Sequence, residues 1–232
     1  MSNLYKIAGL IVEMNAENRT AAQAEPYRFN GEAEPDITMV GVHENFAKNR
    51  PYLTYEDAEY INTCREFYYK LLDFNGMMIH SSCVVVDGRA YLFSAASGTG
   101  KSTHTELWLK KFGDRAYILN DDKPAVRLID GVWCACGTPW SGKYDISKPA
   151  CVPLAGIAFL NRDTTNHIER YTGPMVAFEM LNQTLRHDKK IEKAMDVISQ
   201  LVTAIPIWKL FCNMDPEAAE VSYNAMSGNV KE

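Results

Sequence analysis

Ala95-Ala96-Ser97-Gly98-Thr99-Gly100-Lys101-Ser102-Thr103 is the stretch on which the reading of this chain turns. An apolar, strand-like run, Ala90-Tyr91-Leu92-Phe93, leads into it, and a helix-like run, His104 to Phe112, leaves it. Strand, glycine-bearing loop ending in Gly-Lys-Ser, then helix is the order of a P-loop (Walker A) motif. The backbone N–H groups of such a loop converge, and the helix N-terminus behind them adds unpaired donors, so phosphate is the anion it suits. Lys101 is expected to neutralise the β- and γ-phosphates of a nucleotide and Ser102 to hold Mg2+ through its hydroxyl. The segment Ser97, Gly98, Thr99, Gly100, Lys101, Ser102 and Thr103 is expected to cradle the phosphates, which makes ATP and Mg2+ the implied cofactors. One position departs from G-x-x-x-x-G-K-[ST]: Ala95 stands at the first glycine. A positive φ there would cost an alanine roughly 1 kcal/mol.

Outward from the loop, two further signals carry chemistry. Asp121-Asp122 ends the strand-like run from Ala116, 20 and 21 positions after Lys101. An enzyme that moves phosphate needs a carboxylate for the metal, and a kinase needs a second group to take the acceptor hydroxyl's proton. Adjacent residues of a strand point to opposite faces, so the two carboxylates can serve the two tasks. His80 precedes Lys101 by 21 positions, on a run paired with the strand that feeds the loop. A polar residue among Met77, Met78, Ile79 and Val84 to Val86 is expected either to meet the transferred phosphate, to orient a catalytic Asp, or to be a hydrogen-bonded core histidine. His43, His104, His167 and His187 have no comparable placement and are read as structural.

The loop Gly137 to Asp145 offers Trp140 to pack on substrate or base and Lys143 to meet phosphate. Its plainer reading is a Gly/Pro turn anchored by its Trp. Arg162 and Arg186 are weaker candidates for phosphate.

The chain has 232 residues, 47% of them hydrophobic, which suffices for one large domain or a domain with a small elaboration. A net charge of −5 argues against a nucleic-acid partner. No run approaches the ~20 apolar residues of a membrane span, and Ile7 to Val12 is too short for a signal peptide. The six cysteines fit neither a disulfide scaffold nor a zinc site, and Cys134 and Cys136 read as two small buried hydrophobes sharing a strand face. A reducing, cytoplasmic compartment follows as the expectation.

Residues 1–75 read as an N-terminal strand and helix elaboration: a strand from Leu4 to Met14, another from Ile37 to Val42, and a helix from Glu56 closed by Asn75-Gly76. Residues 76–232 read as the main domain. Asp87-Gly88 and Asp130-Gly131 each sit between apolar runs and predict hairpins. Leu154 to Leu160 and His167 to Tyr171 predict one more. Helices are expected over 174–185, along the stripe from Ile191 to Ile205, and after Pro216, with a short strand at 207–210. Several hairpins plus one strand–loop–helix unit predict an α/β fold built on a mixed sheet, with flanking helices.

Taken together, Ile79-His80-Ser81-Ser82-Cys83-Val84-Val85, the Asp-Gly turn, Ser97 to Ser102, and Asn120-Asp121-Asp122 resemble the catalytic domain of HPr kinase/phosphorylase, among the phosphoenolpyruvate carboxykinase-like P-loop proteins. The resemblance covers about residues 77–160. It implies that fold, serine-type phosphoryl transfer and a homo-oligomer. It places His80 near the transferring phosphate, with Asp121 as the base and Asp122 as a metal-site carboxylate. Segments matching those that grip the HPr protein are not evident, and residues 1–75 do not match the family's regulatory domain. The expected activity is therefore an ATP- and Mg2+-dependent kinase acting on a hydroxyl in a peptide, protein or small molecule. The alternatives are a non-catalytic nucleotide-binding module and a carboxykinase-like lyase, for which the chain is short and lacks the arginine cluster.

Overall fold

The structure is a computed structural model, described here for residues 3–39, 46, 48–186 and 188–228. It is a mixed α/β fold with a curled mixed sheet and helices on both faces. Strands β4 (Gly76–Met78), β5 (Ser81–Val86), β6 (Arg89–Ser94), β7 (Ala116–Asp122), β8 (Ala125–Ile129), β9 (Val132–Cys136) and β10 (Cys151–Arg162) form one path in the order β4-β8-β9-β10-β6-β5-β7. Strand β12 (Ile207–Cys212) lies parallel to the second half of β10, and β11 (His167–Arg170) pairs antiparallel with β12.

The main-sheet strands alternate between two buried faces, as their near-continuous apolar sequences require. Cys83, Val85, Ala90 and Leu92 share a core with α4 (Met175–Asn182) and α5 (Ile191–Ala204), through Val176, Met180, Val197, Ile198 and Leu201. Val84, Val86, Tyr91 and Phe93 face the other way, onto Leu107 and Trp108 of α3 (Lys101–Phe112) and Ala218, Ala219 and Met226 of α6 (Glu217–Met226). A third core lies under the N-terminal residues. There β1 (Asn3–Ile7), β2 (Leu10–Met14) and β3 (Ile37–Thr38) form a separate small sheet. With α1 (Asn18–Ala24) and α2 (Tyr55–Leu71), that sheet packs over Met78, Ala125, Cys134, Cys136 and Trp140.

Both Asp-Gly hairpins form, with Asp87 and Gly88 at φ 50° and 74° and Asp130 and Gly131 at 48° and 81°. These left-handed pairs are what a two-residue turn between twisted strands demands. Asn75, at φ 54°, ends the segment after α2 as expected.

Four expectations are corrected. Leu4 to Met14 is two strands, because Ala8 and Gly9 turn the chain at φ 52° and 78°. The second N-terminal strand covers only Ile37–Thr38, and Val40 to Val42, like His43 and His187, lie outside the described residues. Residues 167–170 make no hairpin with β10. Apolar β12 takes that edge instead, and polar β11 becomes the outer strand, where charged side chains are tolerated. Finally, Cys136 is disulfide-bonded to Cys151 rather than a free apolar filler. Their partnership comes from the antiparallel β9–β10 register, which sets them opposite each other with Cα atoms 4.1 Å apart; a separation of 15 residues does not reveal it. Cys134 does lie buried on the same face, and Cys64, Cys83 and Cys212 are also free and buried. Among the described residues, no helix is long and apolar enough to cross a membrane.

Candidate functional site

Register brings the candidate residues to one end of the main sheet. Strand β5 lies between β6 and β7 and pairs antiparallel with both, so Ser81 stands opposite Ser94 on one side and Asp122 on the other. His80, just before β5, is therefore wedged between the start of the glycine loop and the end of β7. Its backbone is fixed on both sides: its N–H donates to Gln183 O at 2.7 Å, and its carbonyl accepts from Ser94 Oγ at 2.8 Å. An irregularity opposite Cys83/Val84 skips Leu119 in the pairing. Such a bulge re-aims the residues beyond it. Past it, β7 gains a second neighbour, the 146–148 segment: Asp121 N–H donates to Ile146 O at 3.0 Å and Lys148 N–H to Leu119 O at 2.9 Å.

The loop from Ala95 to Gly100 opens directly into α3. Gly98 and Gly100 take φ 77° and 121°, whereas Ala95 is not among the residues with positive φ. The feared cost at the missing first glycine is therefore not incurred. Gly100 caps the helix without a side-chain partner for its first N–H groups, which leaves them free to meet an anion. Lys101 folds back, its ammonium 3.0 Å from Ala95 O and 3.5 Å from Ala96 O. Two of its three donors are thus used to close the loop, and one remains. Burial lowers the Lys101 pKa, while Asp122 and Asp121 act to raise it. Arg162, from the end of β10, donates to Thr99 O at 3.0 Å and to Gly98 O, pinning the loop from outside. A cleft of about 570 Å³ is lined by Ala95 to Thr99, Arg162, Glu179 and Gln183. Thr103 lines a second, more apolar cleft with Leu107, Leu160 and Met214, which shares Gly98, Thr99 and Arg162 with the first.

The two carboxylates have separate partners. Ser102 Oγ donates to Asp121 at 3.1 Å (Oδ1) and 3.0 Å (Oδ2). Asp122 Oδ1 lies 3.2 Å from His80 Nε2, and its Oδ2 is paired with the Lys123 ammonium. Burial works to raise the Asp122 pKa, but the bond from His80 and the charge of Lys123 outweigh it and hold the carboxyl down at about 2. The expected division had Asp122 beside Ser102 and Asp121 free for an acceptor; the side chains pair the other way. Among the described residues there is no cluster of three or more His, Cys, Asp or Glu that would hold a metal by itself. Any cation here would share Ser102, Asp121 and a ligand's own oxygens.

Trp140 does not face substrate. It is fully buried, its ring tilted against that of Phe67 at 5.0 Å between centroids and its Nε1 donating to Thr63 Oγ1 at 3.1 Å. Its ring fills the core beneath the N-terminal residues, as an anchor for its loop. Lys143 is exposed beside Tyr144, in a cleft it shares with Arg19, Tyr60 and Gly142 rather than with the glycine loop. Arg186 lies with Arg65 and Lys189 in another cleft. Lys123, the other partner of Asp122, is not singled out by the sequence alone. Its adjacency to Asp122 was visible, but a lysine before a proline reads equally well as a solvated turn.

No family model matches the chain, and no curated protein matches it. Among solved structures it is similar to the Hpr(Ser) kinase/phosphatase from Coxiella burnetii, over 66% of this chain and 93% of that one, at 8% identity and a TM-score of 0.36. That is a distant likeness, too slight to bear on activity.

Proposed function

We propose that the chain is an ATP- and Mg2+-dependent kinase that transfers a phosphoryl group to a serine-type hydroxyl in a peptide, protein or small molecule. The observation that carries this is the meeting, at one sheet end, of an anion-ready helix start with two separately partnered carboxylates, Asp121 on Ser102 and Asp122 on His80. A site that only held phosphate would need the first and not the second pair.

Hydroxyl and carboxylate oxygens suit Mg2+, so Ser102 and Asp121 would hold it, and it would supply neutralisation of phosphate charge. The loop N–H groups and Lys101 bind and orient the phosphates. Asp122, ionised across the neutral range, accepts the acceptor's hydroxyl hydrogen bond, and His80 fixes its direction. Its low pKa makes it a weak base. That suits a reaction whose nucleophile needs orienting more than early deprotonation: the acceptor oxygen bonds to the γ-phosphorus as its bond to ADP breaks, and the hydroxyl proton leaves late, by way of Asp122, to solvent. This reading gives Asp121 to the metal and Asp122 to the acceptor.

The test is transfer from γ-labelled ATP to serine-containing peptides and small hydroxyl compounds, with Mg2+. Lys101→Ala is expected to weaken nucleotide binding, and Asp122→Asn to keep binding while losing transfer by about 100-fold or more. Equal transfer by wild type and both variants would sink the proposal.

A further inference from the structure

We infer that Arg19 and Tyr60, from the N-terminal residues, are positioning residues of this site: they clamp the Gly142 backbone, one peptide unit on each side of its Cα, against Asp122 and thereby fix where that carboxylate meets His80. The role given to Asp122 rests on the kinase reading above; the clamp itself does not.

Both backbone groups of Gly142 are taken. Its N–H donates to Tyr60 Oη at 3.2 Å, and its carbonyl accepts from the Arg19 guanidinium at 2.8 Å. The two clamping residues also hold each other, with the guanidinium carbon 4.2 Å from the Tyr60 ring centroid. Gly142 itself sits at φ +77°, and a Cβ there would lie 2.7 Å from Asp122 Cβ and 3.0 Å from its Oδ2. Only glycine lets the backbone approach this closely. The Gly142 backbone therefore packs directly against the Asp122 side chain, whose two oxygens meet His80 and Lys123. Lys123 is also tied in, its ammonium 5.7 Å from the same Tyr60 ring.

A simpler view is that Arg19 and Tyr60 merely hold the loop down. The loop has other anchors for that: Trp140 in the core, the 146–148 segment on β7, and the Cys136–Cys151 bond across its ends. Releasing the clamp frees the stretch around Gly142, and the side chain nearest to Gly142 is that of Asp122.

The experiment uses the full chain with 15N-labelled histidine. At one fixed pH, the His80 imidazole resonance reports its bond to Asp122, and buried His104 serves as an internal control. Arg19→Ala and Tyr60→Phe are expected to shift the His80 resonance and leave His104 in place. Arg19→Lys, which keeps a charged donor, is expected to restore much of the wild-type position. In phosphoryl transfer the first two variants should lose about 10- to 100-fold in kcat with little change in the KM for ATP. His80 resonances that superpose on the wild type in both variants would overturn the inference. So would equal movement of His80 and His104, the mark of a general structural loss. A shifted His80 in a protein whose wild type transfers phosphate to no acceptor supports the clamp and removes the kinase reading, so the two failures are told apart.

Discussion

The Ser102 hydroxyl donates to the Asp121 carboxylate at 3.0 Å, joining the first turn of α3 to the end of β7 across a sheet in which β6 and β7 are separated by β5. If this pair shares a cation, Ser102→Ala and Asp121→Asn should do the same damage. Each should raise the Mg2+ concentration needed for half-maximal ATP binding by about tenfold or more, the loss of one contact to a charged group being worth about 1.5–3 kcal/mol. The double variant should add little to either single one. Calorimetric titrations of ATP at several Mg2+ levels would read this. Fully additive losses would separate the two residues.

Ala95 should be neutral to function. It lies at an ordinary φ, and the left-handed positions of the loop belong to Gly98 and Gly100. Ala95→Gly is expected to leave ATP binding unchanged and to cost about 0.5–1 kcal/mol of stability through a more flexible unfolded chain. Gly100→Ala, forced to φ 121°, should cost about 1–3 kcal/mol and weaken binding. Urea unfolding with parallel ATP titration checks both.

Trp140 should behave as core. Trp140→Ala removes a fully buried ring and its bond to Thr63, an expected loss of about 3–5 kcal/mol. Trp140→Phe should lose less. Urea midpoints measure the stability, and the folded fraction of either variant should bind ATP as the wild type does. A selective loss of ATP affinity at unchanged stability would restore a substrate role.

His104 gives the fold an acid limit. Burial pushes its imidazole down from 6.5 to about 3, and its Nε2 accepts from the Trp108 indole at 3.2 Å, so the neutral ring is the one that fits. Between those two values the unfolded chain binds a proton that the folded chain refuses. Stability therefore falls as pH drops through that window, by up to about 1.4 kcal/mol per pH unit from this group. His104→Gln, which keeps an acceptor, should lower stability at neutral pH but flatten the decline toward pH 5. Urea midpoints at both pH values test it, and an unchanged slope would count against it.

Much of this architecture was legible in local pattern. Asp87-Gly88 and Asp130-Gly131 declared their hairpins, and Gly98 to Ser102 declared a strand-to-helix loop, because each depends on a few neighbouring dihedrals. Features set by non-local register were not legible. Nothing near Cys136 announces Cys151, nothing near His167 announces that β12 will take the β10 edge, and nothing near Arg19 announces Gly142. The pairing of the two carboxylates was half legible. Alternation along a strand showed that Asp121 and Asp122 would diverge, but which one met Ser102 depended on the irregularity at Leu119, a feature of strand pairing rather than of sequence.

The most direct measurement is phosphorus NMR of Mg2+ and ATP incubated with the protein and a set of serine peptides and small hydroxyl compounds. For at least one acceptor, ADP and a new phosphomonoester signal should appear in equal amounts, and Asp122→Asn should abolish both while still binding ATP. ATP bound but left intact with every acceptor, or consumed equally by Asp122→Asn, would contradict phosphoryl transfer at this site.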